Sequence, residues 1–150
     1  MKIYFYSEEN GINTNAEDEQ FLLNSAICLG GFDGIHKGHK ALFCVAKSFG
    51  KWGVLLFDRN IKGNENLTTQ EEKVKLIEKS GADFVIIAEF SEKFSKRTPE
   101  EFAQFLENIL KVSHIVCGYD YRFGVGASGD AKMLKDLCKN AYWQLEFLSY

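Results

Sequence analysis

Six short apolar runs are spaced along the chain, and helical patterns fill most of the gaps between them. The runs are Ile3–Tyr6, Ala26–Leu29, Gly53–Phe57, Phe84–Ala88, His114–Cys117 and Trp143–Leu148. Each is short and nearly continuous, as suits a buried strand. Lys40–Phe49 sets Leu42, Val45, Ala46 and Phe49 on one helical face. Thr68–Lys79 opens with Thr68 and Glu71 at capping-box spacing, turns Val74 and Ile77 inward, and has Gly81 as its stop. Thr98-Pro99-Glu100-Glu101 is a helix start with a cap, a proline in the first helical position and acids in the first turn. Phe102, Phe105, Leu106, Ile109 and Leu110 supply its buried face, and a last helix is expected from Ala131 to Lys139.

Strand and helix in alternation predict a Rossmann-like α/β fold: a doubly wound, mostly parallel sheet with helices on both faces. Ligands of such sheets lodge beyond the carboxyl ends of the strands. The stretches to inspect are therefore Gly30–Gly38, Asp58–Leu67, Glu89–Arg97 and Gly118–Asp130. Asn10–Glu19 is polar and turn-rich, and reads as a surface connection.

With 150 residues, 45% of them apolar, the chain is sized for one domain with a real core. Its net charge of -3 and its lack of a Lys/Arg run argue against nucleic acid as a main partner. Cys28, Cys44, Cys117 and Cys138 form no C-x-x-C pair and read as buried or half-buried thiols of a reducing compartment. There is no apolar run long enough for a membrane span, and the opening MKIYFYSEEN lacks the form of a secretory signal. A cytoplasmic protein with small-molecule partners is expected.

The densest chemistry lies in LGGFDGIHKGHK, Leu29–Lys40. Two of the three histidines, His36 and His39, stand in it among Gly30, Gly31, Gly34 and Gly38. Glycines after a strand let the backbone approach a ligand closely. The helix that starts near Gly38 presents unpaired N–H groups and the positive end of its dipole, a ready phosphate site. Imidazoles beside it can donate to phosphate oxygens and carry charge near neutral pH. The same spacing on a helix can also hold a metal or be structural. Asp33 precedes the Gly34 turn, and no third strong ligand is near in sequence.

A second glycine-rich stretch, Cys117–Asp130 (CGYDYRFGVGASGD), follows the fifth run and therefore shares the same rim. Asp120 can accept from ribose or base, Arg122 offers a planar fork to phosphate, and Tyr121 and Phe123 offer aromatic faces to a flat ring. An aromatic hairpin packed on the core, with Arg122 solvated, is the plainer reading. Thr68 and Thr69 read first as helix caps, Glu89, Glu92, Glu100 and Glu101 as solvated or capping acids, and His114 as a structural residue.

The first stretch, G-x-F-D-G-x-H-x-G-H, resembles the signature of the HxGH nucleotidylyltransferases. Its form is that of the prokaryotic FAD synthetase family, bifunctional riboflavin kinase/FMN adenylyltransferases. Gly31, Phe32, Asp33, Gly34, His36, Gly38 and His39 match as they stand. The second stretch is similar to that family's G-x-D-F-R-F-G-x-x-x-x-G-D, with Tyr121 in place of Phe, and Leu67-Thr68-Thr69 with Glu72-Lys73 resembles L-T-T-x-x-E-K. The resemblance implies adenylyl transfer from ATP to FMN, giving FAD and pyrophosphate, with Mg2+ accompanying ATP and no metal held by the protein alone. It implies His36 and His39 as the catalytic pair. It places Gly31, Phe32, Asp33, Gly34, Gly38, Gly118, Asp120 and Arg122 on the nucleotide side, and Tyr121, Phe123, Gly124 and Asp130 on the flavin side.

Two departures stand against it. Phe57-Asp58-Arg59-Asn60 replaces an F-x-P-H-P-like segment, and the later S-S-T-x-I-R motif is absent. The chain stops inside a strand-like run. The expectation is thus a C-terminally truncated FMN adenylyltransferase domain over residues 1–150, without the riboflavin kinase domain. Three alternatives stay open: an HxGH transferase for another phosphate substrate, a non-catalytic nucleotide- or flavin-binding module, and a metal-binding regulatory domain built on His36 and His39.

Overall fold

The structure, a computed structural model, describes residues 1–32, 37–58, 70–138 and 144–148. The main sheet contains β1 (Lys2–Ser7), β2 (Gly11–Ile12), β3 (Ser25–Leu29), β4 (Lys51–Asp58), β5 (Phe84–Glu89), β6 (His114–Gly118) and a last strand, Gln144–Leu148. Five of the six apolar runs lie wholly in strands, and Gln144–Leu148 of the sixth is a strand, Trp143 lying outside the described residues. The spatial order is β2-β1-β5-β4-β3-β6 and then the last strand; all pairs are parallel except β1 with β2. Two short strands, β7 (Arg122–Phe123) and β8 (Gly129–Asp130), pair as an antiparallel hairpin outside that sheet, so the last strand is β9.

The helices are α1 (Ala16–Leu23), α2 (Lys37–Ser48), α3 (Gln70–Lys79), α4 (Glu92–Ser95), α5 (Pro99–Gln104) and α6 (Ala131–Leu137); α5 continues as a π-helical turn over Phe105–Leu110. Side chains alternate along each buried strand and build two cores. Ile27, Leu29, Leu55, Phe84, Ile86, Ile115 and Cys117 face Leu22 of α1, Phe102 and Leu106 of the α5 region and Leu134 of α6. Ala26, Cys28, Val54, Leu56, Val85 and Val116 face Leu42, Phe43 and Ala46 of α2 and Ile77 of α3. Helices therefore cover both faces, as a doubly wound sheet requires. Among the described residues no helix is long and apolar enough to cross a membrane.

Local signals act where the sequence places them. Thr98 accepts from the Glu101 N–H and Glu101 accepts from the Thr98 N–H, closing the capping box with Pro99 inside it. Gly81 ends α3 at φ +97, as a stop residue should. The Thr68 cap lies outside the described residues. Asn10–Glu19 is not a plain surface connection. Gly11–Ile12 pairs with β1, and Asn15 starts α1 through a capping box with Asp18. The polar run there is the exposed face and cap of a helix that buries only Leu22.

Asp18 carries a testable consequence. Its carboxylate accepts from the Asn15 N–H at 3.1 Å and from the Tyr4 hydroxyl at 2.9 Å, and these bonds hold it below the usual aspartate range. A depressed folded value means its contribution is complete above the unfolded pKa, about 3.9, and is lost as pH falls through the folded one. Urea midpoints of the wild type and Asp18→Asn are expected to differ by a constant amount from about pH 5 to 8 and to converge below about pH 4.

Candidate active site

Chain order reverses between β3 and β6. From β3 the chain moves through α2 to β4 and on to β5, then returns to lay β6 against the other edge of β3. Leu29 and Cys117 stand side by side at the carboxyl ends of this pair. The segments that leave there diverge, one into α2 and one into the β7–β8 hairpin. A crevice at such a switch point is where open α/β sheets hold ligands.

On the β3 side, Gly31 is exposed and Gly38 lies in the first turn of α2, whereas Asp33, Gly34 and His36 lie outside the described residues. The Phe32 ring is buried, 1% exposed. It adopts φ +54 and folds back over Gly30, where an added Cβ would sit 3.1 Å from the ring. Any contact from Phe32 to a nucleotide would fall to its backbone. The ring packs on His39 at 4.9 Å and on Phe43 at 5.7 Å, and Phe43 stacks on Trp52 at 4.9 Å. His39 is the third residue of α2 and is 9% exposed. A stack of rings from the core thus fixes the imidazole at the end of the helix where N–H groups lack intrahelical partners.

On the β6 side, Tyr121 N–H closes a turn on the Gly118 carbonyl at 3.2 Å, and Asp120 and Arg122 are exposed on it. Phe123 returns to the core against Phe102 at 5.1 Å, with Tyr121 stacked on its outer side at 5.9 Å. The packed-hairpin reading therefore holds for Phe123 as a fold feature. Gly129 must be bare, because a Cβ there would come within 2.6 Å of the Phe123 ring. Asp130 caps α6 by accepting from the Met133 N–H at 2.8 Å. That carboxylate has a structural task whatever else it does.

Next to the hairpin opens a cavity of about 370 Å³, lined by Phe57, Phe90, Phe94, Ser95, Arg97, Phe102, Tyr121, Arg122, Phe123, Gly124, Gly126 and Ala127. Tyr121, Phe123 and Gly124, expected on the flavin side, line it together with Arg122, expected on the nucleotide side; Asp130, Asp120 and Gly118 are not part of its wall. Sequence reasoning missed Phe90, Phe94, Phe102 and Arg97. The available signal was the density of phenylalanine after β5, in a stretch flagged only by its place beyond a strand.

The thiols near the site are poor nucleophiles. Burial, reinforced by the Asp120 charge, pushes Cys117 up to about 12, and burial with the Glu107 charge pushes Cys138 up to about 11. Burial also raises Cys28. Cys44 is the correction to the expectation of buried thiols, since it is exposed on the outer side of α2. His114 is structural as read, with Nδ1 2.8 Å from the Ser113 hydroxyl and its ring stacked on Phe49 at 4.2 Å. Among the described residues no three His, Cys, Asp or Glu side chains come together to hold a metal ion.

A helix end with a core-anchored imidazole on one side of a switch point and an aromatic cavity on the other belong to a doubly wound α/β domain, the class of fold whose ligands lodge at such a point. Comparison with known proteins narrows this class. The family model "FAD synthetase" matches residues 18–149, and the chain belongs to the FAD synthetase family. A FAD synthetase of Listeria monocytogenes is 32% identical over 127 residues, covering 77% of this chain and 52% of its own length. A bifunctional riboflavin kinase/FMN adenylyltransferase of the same organism is 35% identical over 142 residues, covering 86% and 44%. One from Escherichia coli K12 is 30% identical over 122 residues, covering 73% and 39%. The chain thus spans about half the length, or less, of these relatives. A solved structure described as a macrolide-efflux protein from Streptococcus pneumoniae superposes with a TM-score of 0.78 over 99% of this chain and 58% of that one. At 23% identity it speaks for the fold alone.

Proposed function

We propose that this domain is an FMN adenylyltransferase. An oxygen of the FMN phosphate attacks the α-phosphorus of ATP, the bond from that phosphorus to the bridging oxygen breaks, and FAD and pyrophosphate form. The attacking phosphate is already ionised, so the reaction needs alignment and charge neutralisation more than a base. His39, with His36, is assigned to the oxygens of the α-phosphate and the departing pyrophosphate, where their N–H groups meet growing negative charge. The first N–H groups of α2 serve the same charge, and Gly31, Gly34 and Gly38 permit close approach. Asp120 and Arg122, exposed at the crevice, are assigned to the nucleotide.

The isoalloxazine ring is assigned to the aromatic cavity, between Phe57 and the Tyr121–Phe123 pair. The observation that carries this reading is the common rim: the end of α2 with His39 and the mouth of the phenylalanine-lined cavity both lie beyond the carboxyl ends of neighbouring strands. Magnesium is treated as part of the ATP substrate, since it retains most of its waters when bridging phosphates. The reaction is proposed to be cytoplasmic.

Incubation of the purified chain with FMN and Mg-ATP tests the reading, with FAD measured by chromatography and pyrophosphate by a coupled assay. FAD and pyrophosphate in equal amounts are expected. Tight FMN binding with no FAD over prolonged incubation would reduce the domain to a flavin-binding module, and product from another phosphate acceptor alone would change the substrate.

A further inference from the structure

Arg97 belongs to none of the motifs, yet it joins three parts of the chain beside the aromatic cavity. Its N–H donates to the Phe94 carbonyl at 3.1 Å, at the end of α4. Its Nη2 donates to a Glu8 carboxylate oxygen at 2.8 Å and to the Tyr6 hydroxyl at 3.1 Å, tying it to the end of β1 and the turn that follows. Its guanidinium carbon lies 4.8 Å from the centre of the Phe94 ring and 5.3 Å from that of Phe105. Its carbonyl accepts from the N–H of Val125, in the turn between β7 and β8, at 2.7 Å.

That turn has little else to hold it. Val125, Gly126, Ala127 and Ser128 are exposed. Among the described residues, the Val125 N–H makes the only hydrogen bond from residues 124–128 to the rest of the chain. Gly124 lies against Pro99 so closely that a Cβ on it would come 3.1 Å from the proline nitrogen. Ala127 is held at φ +54, a conformation side chains rarely adopt, and such strain persists where the surroundings impose it. The Arg97 and Glu8 side chains are 17% and 19% exposed. A half-hidden ion pair is a poor source of stability, since apolar side chains would fill the space without dehydrating two charges. What the pair supplies is a fixed place for residue 97, and so for the carbonyl on which the turn hangs.

We propose that Arg97 and Glu8 are positioning residues: their ion pair fixes the Arg97 carbonyl that receives Val125, and so sets the hairpin that brings Tyr121, Arg122 and Phe123 to the cavity. The inference rests on the reading of the cavity as the flavin site. A hairpin set before the flavin arrives leaves less to be ordered on binding. Without the pair, only a fraction of chains holds the competent placement, and apparent affinity falls by that fraction. Substrate that does bind reacts at the ordinary rate.

The test uses Glu8→Leu/Arg97→Leu, which removes both charges together and leaves neither unpaired. Its thermal midpoint should stay within a few degrees of the wild type. Hydrogen exchange followed by NMR in the ligand-free chain should be about ten-fold faster at the Val125 amide, with the amides of β3 and β4 unchanged. KM for FMN should rise about ten-fold with kcat within about three-fold, and calorimetry should show FMN affinity weakened to match. Glu8→Gln keeps an acceptor for Nη2 and should restore most of both effects. Should the double variant fail to fold, Val125→Pro removes the donor at the other end of the link. Val125 is exposed and opens a short helical turn, a position that suits proline, so the same rise in KM is expected. A merely structural pair would instead lower the folded fraction, and kcat with it, at unchanged KM. That pattern would overturn the proposal, as would Val125 exchange at the wild-type rate in the double variant. Faster exchange at Val125 with unchanged FMN affinity would take the flavin away from the hairpin, overturning the flavin reading of the cavity and the positioning role with it.

Discussion

Replacing His39 with asparagine is expected to lower the rate of FAD formation from FMN and Mg-ATP about 10²–10³-fold. The size follows from the place of the ring. It stands in the first turn of α2 and leans on Phe32 at 4.9 Å, so its position is set by the core before any ligand arrives. A donor fixed in advance stabilises developing charge without reorganising, and asparagine cannot carry the positive charge that imidazole can. Affinity for FMN, measured by calorimetry, should stay within about three-fold, since the flavin is assigned to a cavity that does not include His39. The thermal midpoint should fall by only a few degrees, because the asparagine still occupies part of the space against Phe32. A variant that loses its fold while retaining its specific rate would make His39 a packing residue and remove it from the chemistry.

The largest loss of stability is expected from Gly53→Ala. Gly53 pairs with Phe84 across β4 and β5, and a Cβ on it would lie 2.4 Å from the Phe84 carbonyl oxygen and 2.5 Å from its ring. A flexible side-chain tip could move aside; a carbonyl inside the sheet cannot. The Phe84 ring in effect occupies the side-chain place of Gly53 and meets Tyr4 at 6.4 Å and Phe21 at 5.8 Å. One added methyl must therefore displace β5 or push the ring out of a packed core. A cost of about 3 kcal/mol follows, a large share of the stability of a domain this size. Urea denaturation should give a lowered midpoint with an unchanged slope. An unchanged midpoint would mean that the β4–β5 contact is looser than the structure has it.

Both expectations trace back to the sequence, but unequally. The central strands β3 to β6 were legible because burial on both faces forces short continuous apolar runs; Ile3–Tyr6 was legible as an apolar run although Ile3 and Phe5 face outward. The start of α5 was legible because Thr98, Pro99 and Glu101 act within one turn of chain. The first helix was not: it fully buries only Leu22, with Phe21 beside it packed on Phe84, so no apolar stripe marks it, and its cap residues look like a loop. On the β3 side of the site, the glycine and histidine spacing carried the reading, although it gave no hint that the Phe32 ring would turn inward. The cavity was the least legible. Phe57, Phe90, Phe94, Phe102 and Phe123 come from four separate stretches, and only the β4–β5–α5 packing draws them to one wall. Arg97 had no local signal at all, since its partners Tyr6 and Glu8 lie at the far end of the chain.

The central claim is positional: one rim holds a triphosphate at the end of α2 and a flavin ring among the phenylalanines. A structure of the chain with FMN and a non-hydrolysable ATP analogue tests it most directly. The account predicts the α-phosphate within hydrogen-bond reach of His39 and the ring between Phe57 and Tyr121–Phe123, with the FMN phosphate directed at the α-phosphorus. A nucleotide bound away from α2, or a flavin outside that cavity, would contradict it.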